Sequence, residues 1–439
     1  MIAAAALLWA APAQAFSKQT GTRTMGDGTV LAYDLYVPDG TPPTGGWPGV
    51  VALHGLGGTK DQMAPVAAVL ASQGYAVLAY SARGEGTSTG DLTLAGPAEI
   101  SDEREMFDFF AGLPDVSDTE IGVWGISYGG GEAWNGMAAG IPYKAAEIVA
   151  SWTDLYSALW PQNEAKSGIV LGLLQGLASR SPFLQQLAND ALHSTGLGAI
   201  KALADSRSSL SKLQTITTPV YMFQGRVDYT FDVTQAENGF LRLAGPKHLY
   251  IGPFGHAPST FPGPDVTYLL TQGLAWFDHY LKGVPNGIDA TPAVTIAAAS
   301  GSTTSSFPSL PPTRSVAVGL RGAGTTRVGA RLKAPLETFG ISVLKVRVKK
   351  LHADRRLVAT VTAGGRVITD GAVDPHLGLN TITLANYVQY VPKGGRLIVR
   401  FGPSSTSGDP TYAGLPATGT ISLGSASLTL RALAKPISS

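Results

Sequence analysis

The chain contains no cysteine. That excludes a thiol nucleophile, a thiolate metal site, a disulfide framework and a lipid-modified cysteine. Long apolar runs are missing as well, since no segment reaches the roughly 18 uninterrupted apolar residues that a membrane-spanning helix needs. Charge is sparse, 14% of residues against 44% apolar, which describes a folded chain rather than a disordered one. No P-loop occurs, and "GEGTSTG" lacks the glycine spacing of a dinucleotide site. A tight cluster of His and carboxylates, as a zinc hydrolase needs, is also lacking, so neither a cofactor nor a metal is expected. There is no internal repeat. The aromatics of the C-terminal region do not interleave with its basic residues, so nucleic acid is not an expected partner.

At 439 residues the chain has room for two or three domains. Its first residues, "MIAAAALLWAAPAQA", join an apolar core to small residues at Ala13 and Ala15. This reads as a signal peptide cleaved after Ala15, and predicts a secreted or periplasmic protein, although the usual positive start is absent. The net charge of +1 hides an asymmetry. Residues 291–439 hold 17 Lys plus Arg against 5 Asp plus Glu, net +12, and the 15 basic and 26 acidic residues before them make net −11. Such a split fits either electrostatic packing of the two parts or an anionic surface held by the basic one.

From Phe16 to about residue 290, apolar strand-like runs alternate with helix-like stretches. The expected strands are Val30–Val37, Gly49–Leu53, Ala76–Tyr80, Ile121–Trp124, Ala146–Ala150, Val220–Phe223 and His248–Ile251, and helices Asp61–Ser72 and Glu99–Ala111 fall between them. Near-continuous apolar strands with helices between them predict a doubly wound, mostly parallel α/β sheet. The alternation breaks over 152–218, where stretches such as "GIVLGLLQGLASR" predict a helical insert acting as a lid. After "WFDHYLKG" and a linker, the β-branched runs Ile341–Val348, Leu357–Val361 and Leu397–Phe401 predict an all-β sandwich over 291–439.

The pattern G-x-S-x-G occurs twice, as Gly125-Ile-Ser127-Tyr-Gly129 and Gly86-Thr-Ser88-Thr-Gly90. A nucleophilic serine of this type sits on a sharp turn between a strand and a helix. Ser127 follows the apolar run Ile121–Trp124 and precedes helix-compatible residues. Ser88 lies in "ARGEGTSTGD", which is loop chemistry. Ser127 is therefore the expected nucleophile.

A serine hydroxyl needs a histidine to take its proton and a carboxylate to hold that histidine. The chain has seven histidines. His256, in "GPFGH", follows the last apolar strand of the α/β region, where a catalytic base belongs. His193, His279, His352 and His376 read as surface or packing residues, His248 opens a strand, and His54 belongs to a separate glycine motif. For the acid, Asp228 and Asp232 compete in "GRVDYTFDVTQ". Asp232 with Gln235 reads as a helix capping box, so the acid falls to Asp228. An oxyanion hole needs two backbone N–H groups, one expected from Tyr128 and the other from Leu56 in "HGLGG".

With Ser, Asp and His in this order, the sequence resembles the α/β-hydrolases of the X-prolyl dipeptidyl aminopeptidase and cocaine esterase type. The matching pieces are "GYAVLAYSARGEGTSTG", "IGVWGISYGG", "GRVD", "GPFGH", "WFDHYLKG" and "YVPKGGRLIVRFGPSS". The resemblance implies the fold, the triad and a jelly-roll-like C-terminal domain. It also implies an oxyanion contact from a tyrosine after the third strand, which "LHGLGGTKDQM" does not contain, and family members that remove X-Pro dipeptides tend to be longer. A secreted serine hydrolase of esters or amides is the leading expectation. An X-prolyl dipeptidyl peptidase, with Asp154 and Glu164 as candidates to hold a substrate ammonium, is the alternative. A non-catalytic binding protein on a hydrolase fold is the alternative of another class, and the intact Ser, Asp and His argue against it.

Overall fold

A hairpin comes first: β1 (Phe16–Thr24) pairs antiparallel with β2 (Val30–Pro38). The computed structural model describes residues 15–437 except 176, 178–181, 194, 353–355, 407 and 415–418. The export segment expected at the N-terminus lies outside the described residues, apart from Ala15. The chain divides into two units, residues 1–146 with 274–286 and residues 147–273 with 287–439.

In the first unit, β3 (Trp47–Leu53), β4 (Ala76–Tyr80) and β5 (Val116–Ile126) join the hairpin in the order β1-β2-β4-β3-β5. The β3–β4 and β3–β5 ladders are parallel, while β2 meets β4 antiparallel. Val50, Val51, Ala52 and the whole of β4 are buried, as the apolar runs required. β1 was not expected, because "FSKQTGTRT" is polar and mostly exposed, so no apolar run marks it. Helices α1 (Ala64–Ser72), α2 (Pro97–Ala111) and α3 (Tyr128–Ala138) separate the strands. Among the acids buried here are Glu103 of α2 and Glu132 of α3. The Tyr143 hydroxyl donates to Glu103 Oε1 at 2.9 Å. Burial pushes the Glu103 carboxyl up to about 8 and that of Glu132 well above its ordinary range.

β6 (Ala146–Val149) spans the division between the units. The insert that follows is helical, with α4 (Leu155–Leu159), α5 (Ser167–Leu174), α6 (Pro182–His193) and α7 (Leu197–Ser206). The stretch "GIVLGLLQGLASR" is helical as far as Leu174, and its residues 176 and 178–180 lie outside the described residues. Next come β7 (Val220–Gly225), α8 (Val233–Arg242), β8 (Lys247–Gly252) and α9 (Val266–Lys282). β9 (Val294–Ala297) pairs parallel with β8, which is itself parallel to β7, and β10 (Thr304–Phe307) closes antiparallel on β9. The α/β sheet thus runs past the boundary expected at 290/291, because Val294, Ile296 and Ala297 form one more fully buried strand.

The all-β region contains β11 (Thr313–Val318), β12 (Leu320–Arg321), β13 (Thr326–Arg331), β14 (Leu336–Glu337), β15 (Ser342–His352) and β16 (Leu357–Ala363). It continues with β17 (Arg366–Val373), β18 (Gly378–Leu384), β19 (Tyr390–Val391), β20 (Arg396–Gly402) and β21 (Thr420–Leu433). Among the described residues they make two larger antiparallel sheets, β11-β21-β15-β18 and β12-β13-β20-β16-β17, and a small β14-β19 ladder. Leu344, Val346 and Val348 of β15 share one apolar cluster with Leu357, Ala359 and Val361 of β16, so the two sheets face each other as a sandwich. Two buried ion pairs fix the sandwich to the rest of its unit: Arg226 to Glu337 at 2.5 Å, and Arg356 to Glu164 at 3.1 Å. Such pairs add little net stability, because desolvation offsets their attraction, but removing one partner would leave a buried charge unpaired. Among the described residues, no helix is long and apolar enough to cross a membrane.

The Glu103 shift gives a pH prediction. A carboxyl that titrates near 8 when folded, against an ordinary 4.5, binds its proton more tightly in the folded state. The associated stability is fully present below pH 4.5 and is lost as pH rises through 8. Urea denaturation of the wild type should therefore give a falling stability from about pH 5 to about pH 8, and Glu103→Gln should flatten that fall. Identical slopes in the two proteins would contradict the assignment.

Candidate active site

β5 ends at Ile126, and α3 begins at Tyr128. Ser127 between them has φ 53° and ψ −115°, a left-handed and strained conformation for a residue with a side chain. The flanking glycines are required by close approach of backbones. A Cβ on Gly125 would stand 2.5 Å from the Gly129 carbonyl oxygen, and one on Gly129 would collide with the carbonyls of Leu53 and His54. This is the strand-to-helix turn that lifts a serine hydroxyl out of a sheet. Tyr128 is the first residue of α3, where amides have no partner inside the helix. Ser88 is set differently. It is buried, and its hydroxyl donates to the Ser81 carbonyl at 2.8 Å and accepts from the Ala32 amide at 3.0 Å.

The turn His54–Gly58 follows β3 and is tied to the Ser127 turn by the Gly129 amide, which donates to the His54 carbonyl at 2.9 Å. His54 is buried, which lowers its pKa to about 4 and keeps the ring neutral. Its Nε2 accepts from the Ala82 amide at 2.9 Å, so the proton sits on Nδ1 and is donated to the Gly55 carbonyl at 2.8 Å. Among the described residues the Leu56 amide donates to no other group of the protein.

In the second unit, Asp228 lies three residues beyond β7 and has no exposed surface. Its Oδ1 accepts from the amides of Thr230 and Phe231, both at 2.9 Å. Its Oδ2 accepts from His256 Nδ1 at 2.7 Å and from the His256 amide at 3.2 Å. His256 lies four residues beyond β8, stands edge-on to Phe231 with ring centroids 5.2 Å apart, and keeps 19% of its side chain exposed. With Nδ1 donating to the carboxylate, a neutral His256 presents Nε2 as a proton acceptor. Asp232 caps α8 by accepting from the Thr234 amide at 3.0 Å, and its other oxygen accepts from the Asn386 amide at 2.9 Å. The expected capping box is only half formed. Gln235 is buried and turns its Oε1 to the amides of Thr153 and Asp154, at 3.1 and 2.9 Å, instead of reaching back to Asp232.

The model of the X-Pro dipeptidyl-peptidase (S15) family matches residues 27–258, just over half of the chain, a span that includes Ser127, Asp228 and His256. The chain belongs to this family. As an S15 family member it is a serine-type hydrolase.

Solved structures agree on the fold. A CocE/NonD family hydrolase from Staphylococcus aureus aligns with TM-score 0.70 at 17% identity, covering 96% of this chain and 92% of that one. An α-amino acid ester hydrolase aligns at 0.67 and 12% identity, covering 97% and 96%. An aminopeptidase from a Thaumarchaeota archaeon of marine sediment aligns at 0.66 and 12%, covering 95% and 94%. The fold is thus an α/β hydrolase followed by an all-β region. The quorum-quenching protein AidA of Acinetobacter baumannii is 24% identical over 160 residues, 35% of this chain, and the match spans about half, 53%, of that relative.

Other candidate residues of this S15 chain have structural duties. Asp154 caps α4 through the Ser157 amide at 3.2 Å, and the buried Glu164 carboxyl, raised to about 7 by desolvation, is paired with Arg356. His248 is buried in β8 against Tyr221, whereas His193 and His376 turn Nδ1 to backbone carbonyls at the surface. Reading the sequence missed two residues at the His54–Gly58 turn, Glu85 and Gln62, whose carbonyl or carboxyl oxygens reach its amides. The available signal was an acid in a glycine-rich stretch directly after an apolar strand.

Asp228→Asn should lower kcat by roughly 10³- to 10⁴-fold on an ester substrate, because the amide no longer holds the His256 tautomer. Asp232→Asn keeps a capping oxygen for the Thr234 amide but takes the acceptor from the Asn386 amide, so it should cost on the order of 1–3 kcal/mol in urea denaturation and leave kcat nearly intact. Equal losses of kcat in the two variants would show that the acid has been assigned to the wrong aspartate.

Proposed function

We propose that the chain cleaves carboxylic esters of apolar acyl groups through an acyl-enzyme on Ser127, with His256 as general base and Asp228 as its orienting acid. The observation that carries this reading is the 2.7 Å bond from His256 Nδ1 to a carboxylate with no solvent contact. His256 Nε2 takes the Ser127 proton as Oγ bonds to the substrate carbonyl carbon. The resulting oxyanion is met by the Leu56 and Tyr128 amides. His256 returns the proton to the leaving alcohol as the ester C–O bond breaks. Water then repeats the sequence on the acyl-enzyme, giving up a proton to His256 and releasing the acid and Ser127.

Ester cleavage is favoured over removal of X-Pro dipeptides by the engagement of Asp154 and Glu164, the two acids considered for a substrate ammonium. The apolar composition of the insert suits an acyl group better than a charged dipeptide. With the Met1–Ala15 segment as a signal, the proposal extends to an exported enzyme.

Its partner is further proposed from the sandwich. Of the five acids in 291–439, Glu337, Asp370 and Asp409 are buried, Asp374 is exposed and Asp354 lies outside the described residues. Lys345, Arg347 and Lys349 alternate outward along β15, and none has an ion pair among the described residues. A row of unneutralised cations on a sheet face suits an anionic polymer of the cell envelope.

Two measurements test these readings. On p-nitrophenyl acetate, butyrate and Gly-Pro p-nitroanilide, esters should be cleaved fastest, Ser127→Ala should lose roughly 10³-fold or more, and Ser88→Ala should stay folded and active. Comparable turnover in Ser127→Ala would refute the nucleophile. The triple change Lys345→Glu, Arg347→Glu, Lys349→Glu should elute from heparin at lower salt with unchanged kcat, and co-elution with the wild type would rule out this face.

A further inference from the structure

The second Gly-x-Ser-x-Gly stretch sits in a loop that reaches the His54–Gly58 turn through its neighbours. Ser88 holds the Ser81 carbonyl, and Ser81 Oγ accepts from the Lys60 amide at 3.0 Å, just beyond that turn. Glu85, 1% exposed, contacts the turn itself: Oε1 accepts from the Gly57 amide at 2.5 Å, and Oε2 lies 3.6 Å from His54 Nδ1. Gln62, in the short helical turn Lys60–Met63, accepts from the Gly55 amide through Oε1 at 2.9 Å. The Gly58 amide donates to the Gly55 carbonyl at 2.9 Å, and His54 Nδ1 donates to the same oxygen.

These bonds have a common geometric result. C=O and N–H of a trans peptide point in opposite directions. The peptide between Gly55 and Leu56 has its carbonyl held by two donors, so its N–H, that of Leu56, is turned the other way. The peptides on either side are anchored by Gln62 and Glu85 through their own N–H groups. Of the amides from Gly55 to Gly58, that of Leu56 alone has no bond to the protein among the described residues, and it is the one needed for an oxyanion.

The geometry points to Glu85, assisted by Gln62, as a positioning residue that sets the orientation of the Leu56 amide for the transition state. This inference rests on the Ser127 reading above. Glu85 does not touch substrate. Its effect passes through Gly57 and His54, and it acts on the developing oxyanion rather than on the bound ester, so it belongs in kcat and not in KM.

The test uses the full chain with p-nitrophenyl acetate and with phenylboronic acid, which forms a tetrahedral adduct with a serine and places an oxygen in the oxyanion position. Glu85→Ala should lower kcat by roughly 10- to 100-fold, with KM within about twofold. The inhibition constant of the boronic acid should rise in step with the loss of kcat. Glu85→Gln, which keeps an acceptor oxygen for Gly57, should recover most of the rate. Gln62 is exposed, so Gln62→Ala should fold normally and show a smaller loss of the same kind; it decides the matter if Glu85→Ala does not fold. Wild-type kcat and boronate affinity in the folded variants, or a loss confined to KM, would overturn the inference. Ser127→Ala separates the two failures. Turnover that survives Ser127→Ala removes the nucleophile reading, whereas Ser127-dependent turnover untouched at Glu85 and Gln62 removes only the positioning role.

Discussion

Asp228 is a carboxylate without solvent contact, and a buried carboxylate is tolerated only when donors surround it. Four N–H groups do so, from Thr230, Phe231 and both the backbone and ring of His256. The contact that satisfies the acid therefore also orients the imidazole and sets its tautomer. The loop after β7 and the loop after β8 are held to each other by the same carboxylate. Neighbouring residues extend the anchorage: Arg226 is buried against Glu337 of the sandwich, and Asp232 joins the start of α8 to Asn386. Within this unit, the all-β region supports the segment that carries the acid.

The other unit meets a different constraint. Ser127 occupies a backbone conformation that costs on the order of 1–3 kcal/mol unless its surroundings enforce it. The enforcement is steric. Gly125, Gly129 and the carbonyls of Leu53 and His54 are packed so closely that no side chain fits, and the Gly129 amide fastens α3 to the His54 turn. Glu103 and Glu132 are buried among the helices of this unit, and their raised pKa values mean that a proton, rather than a cation, offsets much of the cost of their burial.

Much of this was legible in the sequence where burial leaves an apolar run. The edges of β4 match the expected strand, and those of the other expected α/β strands extend it at one end or both or, in β6, fall one residue short. Runs buried on both faces stand out from their surroundings, which is why Ser127, Asp228 and His256 could be placed at strand ends. β1 was missed because its residues face water, and β9 and β10 because they follow a stretch that reads as a linker. Gln235 was misread because a capping pattern records sequence spacing, whereas the buried amides of Thr153 and Asp154 lie more than eighty residues away. Glu85 was passed over for a related reason. Glycine, serine and threonine around it describe a loop correctly but do not say which backbone that loop braces.

The proposed mechanism requires Ser127, His256 and Asp228 to act together although they come from distant parts of the chain. Groups that act together lose their effect together, so removing a second member after the first costs almost nothing more. The most direct measurement is a cycle of kcat/KM for Ser127→Ala, His256→Ala and the double variant on one activated ester. The double variant should be no slower than Ser127→Ala alone. Losses that multiply would mean that the serine and the histidine work independently, and would contradict the mechanism.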